Sequence, residues 1–284
     1  MLDSPLVSDL IRLAIEEDLL LGDITTELTI PDTFSSKAEY IAKEKCVVCG
    51  TPLLQRIFAE MGCNFNLDLL TADGEEVKAG QVIAVISGKT KQILSCERLT
   101  LNFLQHLSGI ATQVRKISSK ISNLKILDTR KTTPGLRVLQ KYAVKIGGGS
   151  NHRMNLGDMI LVKNNHIDAH GNLRLLIKDL LQKKPPYMPF EIEVRNMDEL
   201  KIVLEFKPDI IMLDNMTDTQ IKNAVAMIKK VSSKIMIEVS GRVDGGRLQK
   251  LESLGADYAS MGMLTNKVHS VDISLRIIEQ NKSI

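Results

Sequence analysis

Tryptophan is absent from this 284-residue chain, and aromatic residues make up only 4% of it. Surfaces that grip single-stranded nucleic acid interleave basic residues with stacking rings. The most basic stretch, residues 106–163, holds one aromatic, Tyr142, so no nucleic-acid partner is expected. Long apolar runs are also missing. None approaches the roughly 20 residues needed to span a bilayer, so an integral membrane protein and a membrane partner are not expected. The opening stretch MLDSPLVSDL has no basic region and carries two Asp, so no signal peptide is expected and the cytoplasm is the expected compartment. Cysteine is scarce, at positions 46, 49, 63 and 96. Cys46 and Cys49 have the spacing of a redox or zinc pair. They fall in a predicted strand, where residues three apart point to opposite faces, and no second such pair follows. Buried free thiols in a reducing compartment are the expectation.

Apolar residues at 44% and charged residues at 25% provide for a large core and exclude disorder. The formal net charge is only +3, but it is unevenly spread. Residues 1–105 hold 9 Lys/Arg against 16 Asp/Glu, whereas residues 106–163 hold 11 against 2. A concentrated cationic segment within a folded chain asks for an anionic partner.

Ser4-Pro5 opens a helical pattern with Leu6, Leu10 and Leu13 on one stripe. Residues 33–93 alternate between short strands and one helix from Pro52 to Met61, with Asp73-Gly74 and Ala79-Gly80 as turns. A long helix is expected from Ser95 to Ile121. Beyond it the strands LKILDT, MILVK, FEIEV, DIIML, KIMIEVS and DYASMG alternate with amphipathic segments. Their later ends fall at Lys163, Glu193, Asp214, Ser240 and Gly262, a spacing that predicts a parallel sheet closing into an α/β barrel. Chemistry in such barrels sits at the carboxyl ends of the strands. The expected organisation is an N-terminal domain over 1–105, a barrel over 106–271, and a C-terminal helix over about 272–284 packing with the first domain.

From Arg130 to Arg153 there are six Lys/Arg and no acid. Arg137, Lys141 and Lys145 share four-residue spacing on a predicted helix ending near Gly147, and a solvated face is expected for them. Arg130, Lys131, His152 and Arg153 fall at predicted loops and strand ends instead. Arginine offers a planar fork for carboxylates and phosphates, and lysine a compact point charge. Glu193 and Asp214, on successive strand ends, are candidates for sugar hydroxyls or a hydrated Mg²⁺. Ser240, Gly241 and Gly262 offer a small phosphate pocket. Together these features point to an activated sugar phosphate and a small anion. His166 and His170 are four apart, but the loop character of HIDAHGN argues against a helical zinc pair. His106 and His269 are expected to pack or sit on the surface.

DTRKTTPGLRVLQKYAVKIGGGSNHR followed by LGDMILVKNNHI resembles the central block of quinolinate phosphoribosyltransferases. The resemblance extends to EEDLLLGDITTELTIP, ERLTLNFLQHLSGIAT, MLDNM, EVSG and DISL, and so covers nearly the whole chain. It implies an N-terminal α/β sandwich domain and an incomplete, seven-stranded α/β barrel. It implies homodimers or larger assemblies in which one subunit's N-terminal domain covers its neighbour's barrel mouth. The implied reaction takes quinolinate and phosphoribosyl pyrophosphate with Mg²⁺ to nicotinate mononucleotide, pyrophosphate and CO₂, in NAD biosynthesis. By the same resemblance, quinolinate would meet Arg130, Lys131, His152, Arg153 and Lys163, with Arg98 supplied by a partner subunit. Glu193 and Asp214 would contact the ribose hydroxyls and the metal, the latter directly or through water or substrate. Ser240, Gly241 and Gly262 would line the 5′-phosphate pocket. Lys131 and Lys163 then act electrostatically alongside the acids, because decarboxylation beside a positive ring nitrogen needs no Schiff base.

The chain departs from the family pattern at Asn164, Arg242, Met263 and Asn266, all near the phosphate pocket; Arg242 is a further candidate phosphate contact. Alternatives are a paralogue acting on nicotinate or serving a molybdenum-linked operon, and a non-catalytic anion binder.

Overall fold

The structure, a computed structural model, describes residues 1–241 and 243–282. In chain order the elements begin with α1 (Pro5–Leu19), α2 (Ile24–Thr29), β1 (Phe34–Ala42), β2 (Cys46–Val47), α3 (Thr51–Glu60) and β3 (Phe65–Leu69). There follow β4 (Glu76–Val77), β5 (Val82–Lys89), α4 (Thr90–Ser118), β6 (Lys125–Leu127), α5 (Arg137–Ile146) and β7 (Ile160–Val162). Next come α6 (Asn164–His170), α7 (Leu173–Lys183), β8 (Phe190–Val194), α8 (Met197–Leu204), β9 (Ile210–Asp214) and α9 (Asp218–Val231). The chain closes with β10 (Met236–Ser240), α10 (Leu248–Ser253), β11 (Tyr258–Ser260), α11 (Met263–Asn266) and β12 (Ile273–Lys282). No helix among the described residues is long and apolar enough to cross a membrane.

Two compact units share the chain. The first takes residues up to Lys116, Thr132–Gly148 and the chain from Met263; the second takes Ile117–Lys131 and Gly149–Gly262. These units differ from the domains expected to divide at 105 and 271, and the reason lies in α4 and α5. Nε of Arg115 donates to the Gly147 carbonyl at 3.2 Å, and Nη2 to that of Ile146 at 3.3 Å. A Cβ on Gly147 would stand 2.6 Å from the Ala111 carbonyl oxygen and from Val114 Cβ, so only glycine allows this approach. Residues 132–148 therefore pack with the long helix rather than with the strands on either side of them in sequence.

In the first unit an antiparallel sheet, ordered β12-β1-β5-β3, carries a core that includes Tyr40, Phe58, Ile83, Ile86 and Leu104. Buried Tyr40 donates its hydroxyl to Thr100 Oγ1 at 2.9 Å. The helix expected over 272–284 is instead β12, for the residues described. Ile273, Leu275 and Ile277 alternate along it, and it pairs with β1 across a register shift at Lys37/Ala38. The expected helical face of Arg137, Lys141 and Lys145 is also corrected. Lys145 is exposed, but Lys141 is fully buried, because α5 is covered over Leu139–Lys141 and Ala143–Val144, wider than one stripe. Cys46, Cys49, Cys63 and Cys96 are free thiols. Burial pushes the Cys46 thiol up to about 11 and raises that of Cys49 as well, which makes both poor nucleophiles.

The second unit is a parallel sheet ordered β6-β11-β10-β9-β8-β7, with helices between successive strands. Against the seven strands expected, six form among the described residues; Ser150 occupies the remaining place as a single parallel bridge to Leu127. The segment there is a glycine triplet followed by Ser-Asn, which brings no β-branched side chains to extend a strand. Caps start the helices soon after the strand ends: Asn172 accepts from Leu175 N–H, Asn196 from Glu199 N–H, and Thr217 with Gln220 forms a reciprocal box. The site is thereby left to the strand ends and short loops.

Candidate active site

Strand alternation sets which side chains meet inside the second unit. On β8, Phe190, Ile192 and Val194 form one face and Glu191 and Glu193 the other; on β10, Glu238 and Ser240 share a face. A cavity of about 270 Å³ is lined by Arg130, Lys131, His152, Arg153, Lys163 and Ser240, together with Thr129, Leu161, Met212, Glu238 and Ser260. Cationic and imidazole side chains from separate parts of the chain thus converge on one pocket. A larger cavity of about 490 Å³ in the first unit, around Leu10, Leu99, Phe103 and Leu139, gathers no comparable cluster of charge.

Asp128 holds the cationic loops in place. Fully buried just beyond β6, it accepts from the His152 N–H at 2.9 Å and from Asn151 Nδ2 at 2.6 Å. Its own N–H donates to the Ser150 carbonyl at 3.2 Å. Arg153 donates from Nη1 to the Met159 carbonyl at 3.2 Å. Burial, and then the like charge of Arg130, pulls its guanidinium below the usual value, the mark of cations held together for an anion. Lys163 caps α6. Its N–H donates to His166 Nδ1 at 2.8 Å, and its Nζ lies 3.0 Å from Glu193 Oε2.

Beneath the cations are two acids. Nδ1 of His152 accepts the Arg153 N–H at 2.7 Å, which puts the ring proton on Nε2. Nε2 lies 3.3 Å from Glu191 Oε2 and 3.5 Å from Glu238 Oε2. Glu191 is fully buried and Glu238 nearly so. Burial, followed by repulsion from Glu191, pushes the Glu238 carboxyl up to about 7, while His152, Ser260 and Lys163 oppose the rise. Donor atoms of the three residues lie within 4.8 Å of one another.

A family model of the quinolinate phosphoribosyl transferase C-terminal domain matches residues 110–276, and that of the N-terminal domain matches residues 23–108. The chain belongs to the quinolinate phosphoribosyltransferase family. A probable nicotinate-nucleotide pyrophosphorylase (carboxylating) of Methanocaldococcus jannaschii is 40% identical over 281 residues, covering 95% of this chain and 96% of its own length. A quinolinate phosphoribosyltransferase (decarboxylating) of Nicotiana glauca, described as mitochondrial, is 36% identical, covering 95% and 82%. The crystal structure of nicotinate-nucleotide pyrophosphorylase from Ehrlichia chaffeensis superposes with a TM-score of 0.91 at 36% identity, over 98% of this chain and 100% of the other. Human nicotinic acid phosphoribosyltransferase shares the fold alone, at a TM-score of 0.61 and 10% identity.

In this quinolinate phosphoribosyltransferase-family chain, the remaining expected residues fall around the pocket or apart from its lining. Glu193 joins it through Lys163, and Asp214 pairs in register with Ser240 and accepts from Asn215 Nδ2 at 2.9 Å. Gly241 has φ +86°, and a Cβ there would stand 2.3 Å from Asn215 Oδ1. Gly262 follows Met261, whose N–H donates to the Leu127 carbonyl at 2.9 Å. Arg98 is exposed on α4 in the first unit, while the pocket is lined by the second unit alone. Arg242 lies outside the described residues. Asn164 starts α6 and Met263 and Asn266 bound α11. His166 and His170 do sit on a helix, correcting the loop expectation, since Gly171 at φ +77° ends it. Each is otherwise engaged, His166 by the Lys163 N–H and His170 near Asp179. Asp128, Glu191 and Glu238 were not expected at the site. The alternation in FEIEV and IMIEVS carries the signal for the last two.

Proposed function

We propose that the protein transfers phosphoribose from phosphoribosyl pyrophosphate to quinolinate and removes one carboxylate, yielding nicotinate mononucleotide, pyrophosphate and CO₂ for NAD biosynthesis. The observation that carries this reading is the convergence of Arg130, Lys131, Arg153 and Lys163 on one pocket of the second unit. Two carboxylates on a ring need such a set, and the forked guanidiniums bind them with defined geometry. Attack by the ring nitrogen on the anomeric carbon develops positive charge on the sugar, which Glu193 and Asp214 stabilise near its hydroxyls. The two acids supply hard oxygen donors, and Glu193 keeps one oxygen clear of the Lys163 bond, so both suit a Mg²⁺ held through water or the donor's phosphates. That ion, when bound, neutralises the departing pyrophosphate. Ser240, Gly241 and Gly262 receive the 5′-phosphate.

The assembly we propose is a homodimer or larger, with Arg98 of one subunit serving its neighbour's pocket. Exposed apolar side chains on and around α1 and α2 support it: Leu6, Leu13, Leu20, Leu21, Ile24 and Leu28, with Leu21 96% exposed. The free thiols support a reducing compartment, which we take to be the cytoplasm.

The purified protein, given quinolinate, phosphoribosyl pyrophosphate and Mg²⁺, is expected to release one CO₂ per mononucleotide formed. No CO₂ and no mononucleotide would refute the assignment; turnover of nicotinate in place of quinolinate would move it to the paralogue that uses the monocarboxylate. Subunit sharing has its own test. Arg98→Ala and Lys163→Ala proteins, each inactive, are expected to regain part of the activity in mixed dimers, and verified mixed dimers with none would exclude sharing.

A further inference from the structure

Decarboxylation leaves an unfinished task. When the bond from ring C2 to its carboxylate breaks, CO₂ departs and the electron pair stays on C2 beside the positive ring nitrogen. A proton must arrive at C2 as that bond breaks. Resting on the quinolinate reading above, the question is which group in the pocket gives it.

Among the described residues lining the pocket, one carboxyl is present, that of Glu238. Guanidinium groups do not give up protons in proteins. Lys163 holds Glu193, and His152 Nε2 lies 3.3 Å from Glu191 and 3.5 Å from Glu238. Glu238 is also placed to be refilled. A second cavity of about 280 Å³ in the same unit is bordered by Lys125, Ile210 and Tyr258, the first residues of β6, β9 and β11. His152, Arg153 and Glu238 line both cavities, while Glu191 borders only the second. Glu238 thus stands between a substrate pocket at the carboxyl ends of the strands and a space at their amino ends, where Lys125 is exposed.

We propose that Glu238 is the acid that protonates ring C2 as CO₂ leaves, and that water in the cavity at the amino ends of the strands returns its proton. The C2–H bond forms as the Glu238 O–H bond breaks, leaving a carboxylate that takes a proton from water before the next turnover. The surroundings suit the role. Glu191 on β8 and buried space favour the protonated acid, while His152 from the loop, Ser260 on β11 and Lys163 after β7 favour the anion. A general acid works best when its pKa lies near the working pH. A dianionic substrate placed over it favours the protonated form further, because an ionised Glu238 would repel the carboxylate that is to be lost.

A single-turnover experiment on the full chain, with quinolinate, phosphoribosyl pyrophosphate and Mg²⁺, separates the steps by following pyrophosphate and CO₂ independently. Wild type is expected to release them one for one. Glu238→Gln is expected to release pyrophosphate and to slow CO₂ release by about 100-fold, so that the dicarboxylate mononucleotide accumulates; Glu238→Asp should recover part of the rate. Folded Glu238→Gln protein that loses CO₂ in step with pyrophosphate, or that slows both steps equally, would overturn the proposal. Should that variant not fold, the wild type decides. CO₂ release that falls as pH rises above about 7, with a solvent deuterium isotope effect, supports Glu238, and a flat profile from pH 6 to 9 overturns it. A wild type that makes no mononucleotide refutes the function and the inference together, whereas coupled wild-type turnover with an unchanged Glu238→Gln refutes the inference alone.

Discussion

Lys163→Ala should lower kcat/KM for quinolinate by about 10³-fold, the upper end of what one preorganised electrostatic group contributes, with little change in stability. The side chain of Lys163 is 47% exposed, and its bond to Glu193 is partly in solvent. An ion pair of that kind contributes roughly 0–1 kcal/mol to folding, which in a protein of this size moves Tm by no more than about 4 °C. The backbone role survives the substitution, because the N–H that donates to His166 Nδ1 does not depend on the side chain. Activity has no such reserve. The ammonium is a point charge at a strand end in the wall of the anion pocket, and its loss also leaves Glu193 without its cation. Steady-state kinetics paired with a melting curve decides the matter; near-normal turnover would remove Lys163 from the chemistry.

Asp128→Ala is expected to act on both properties at once. Its carboxylate accepts from the His152 N–H and the Asn151 amide, and removing it takes that acceptor from both and leaves a buried gap. Leaving a buried group unsatisfied costs about 1–3 kcal/mol, so a loss of about 3 kcal/mol and a fall in Tm of roughly 6–12 °C follow. His152 and Arg153 would then no longer be fixed, and small misplacements of positioning groups cost rate on the order of 100-fold. Asp128→Asn keeps one acceptor and should fall between Ala and wild type in chemical denaturation and in kcat/KM. Equal stability of the Ala variant and wild type would show that the loop is held by other contacts.

Much of the barrel was legible because its strands are short apolar runs with punctual turn signals, and β8 and β9 end within a residue of where the runs end. Charge without aromatics pointed to a small anion, and the pocket gathers the predicted cations. What escaped depended on tertiary context. β12 carries consecutive isoleucines among charged residues, a pattern open to helix or strand until β1 offers it an edge. Lys141 shares its spacing with exposed Lys145, yet only packing around α5 decides which of them is covered. The assignment of 132–148 to the first unit rests on Gly147 meeting α4, a contact far apart in sequence that no local period encodes. Glu191 and Glu238 were legible in principle, since each shares a strand face with an expected site residue, but acids inside a barrel run against the usual burial preference.

The bonds around Asp128 also bear on chain entropy. They join the residue where the chain leaves β6 to Ser150, Asn151 and His152, where it returns, and so close a loop around residues 132–148. Closure entropy grows only logarithmically with length, about 0.6 kcal/mol for each doubling. The cost of bringing Arg130 and Arg153 together is therefore met mainly at the neck of this loop and changes little with what the loop contains. The cations of the pocket owe their proximity to three hydrogen bonds at Asp128, and the exposed turn at Pro134-Gly135, where a Cβ on Gly135 would meet nothing within 4 Å, is where evolution can lengthen the chain at least entropic cost.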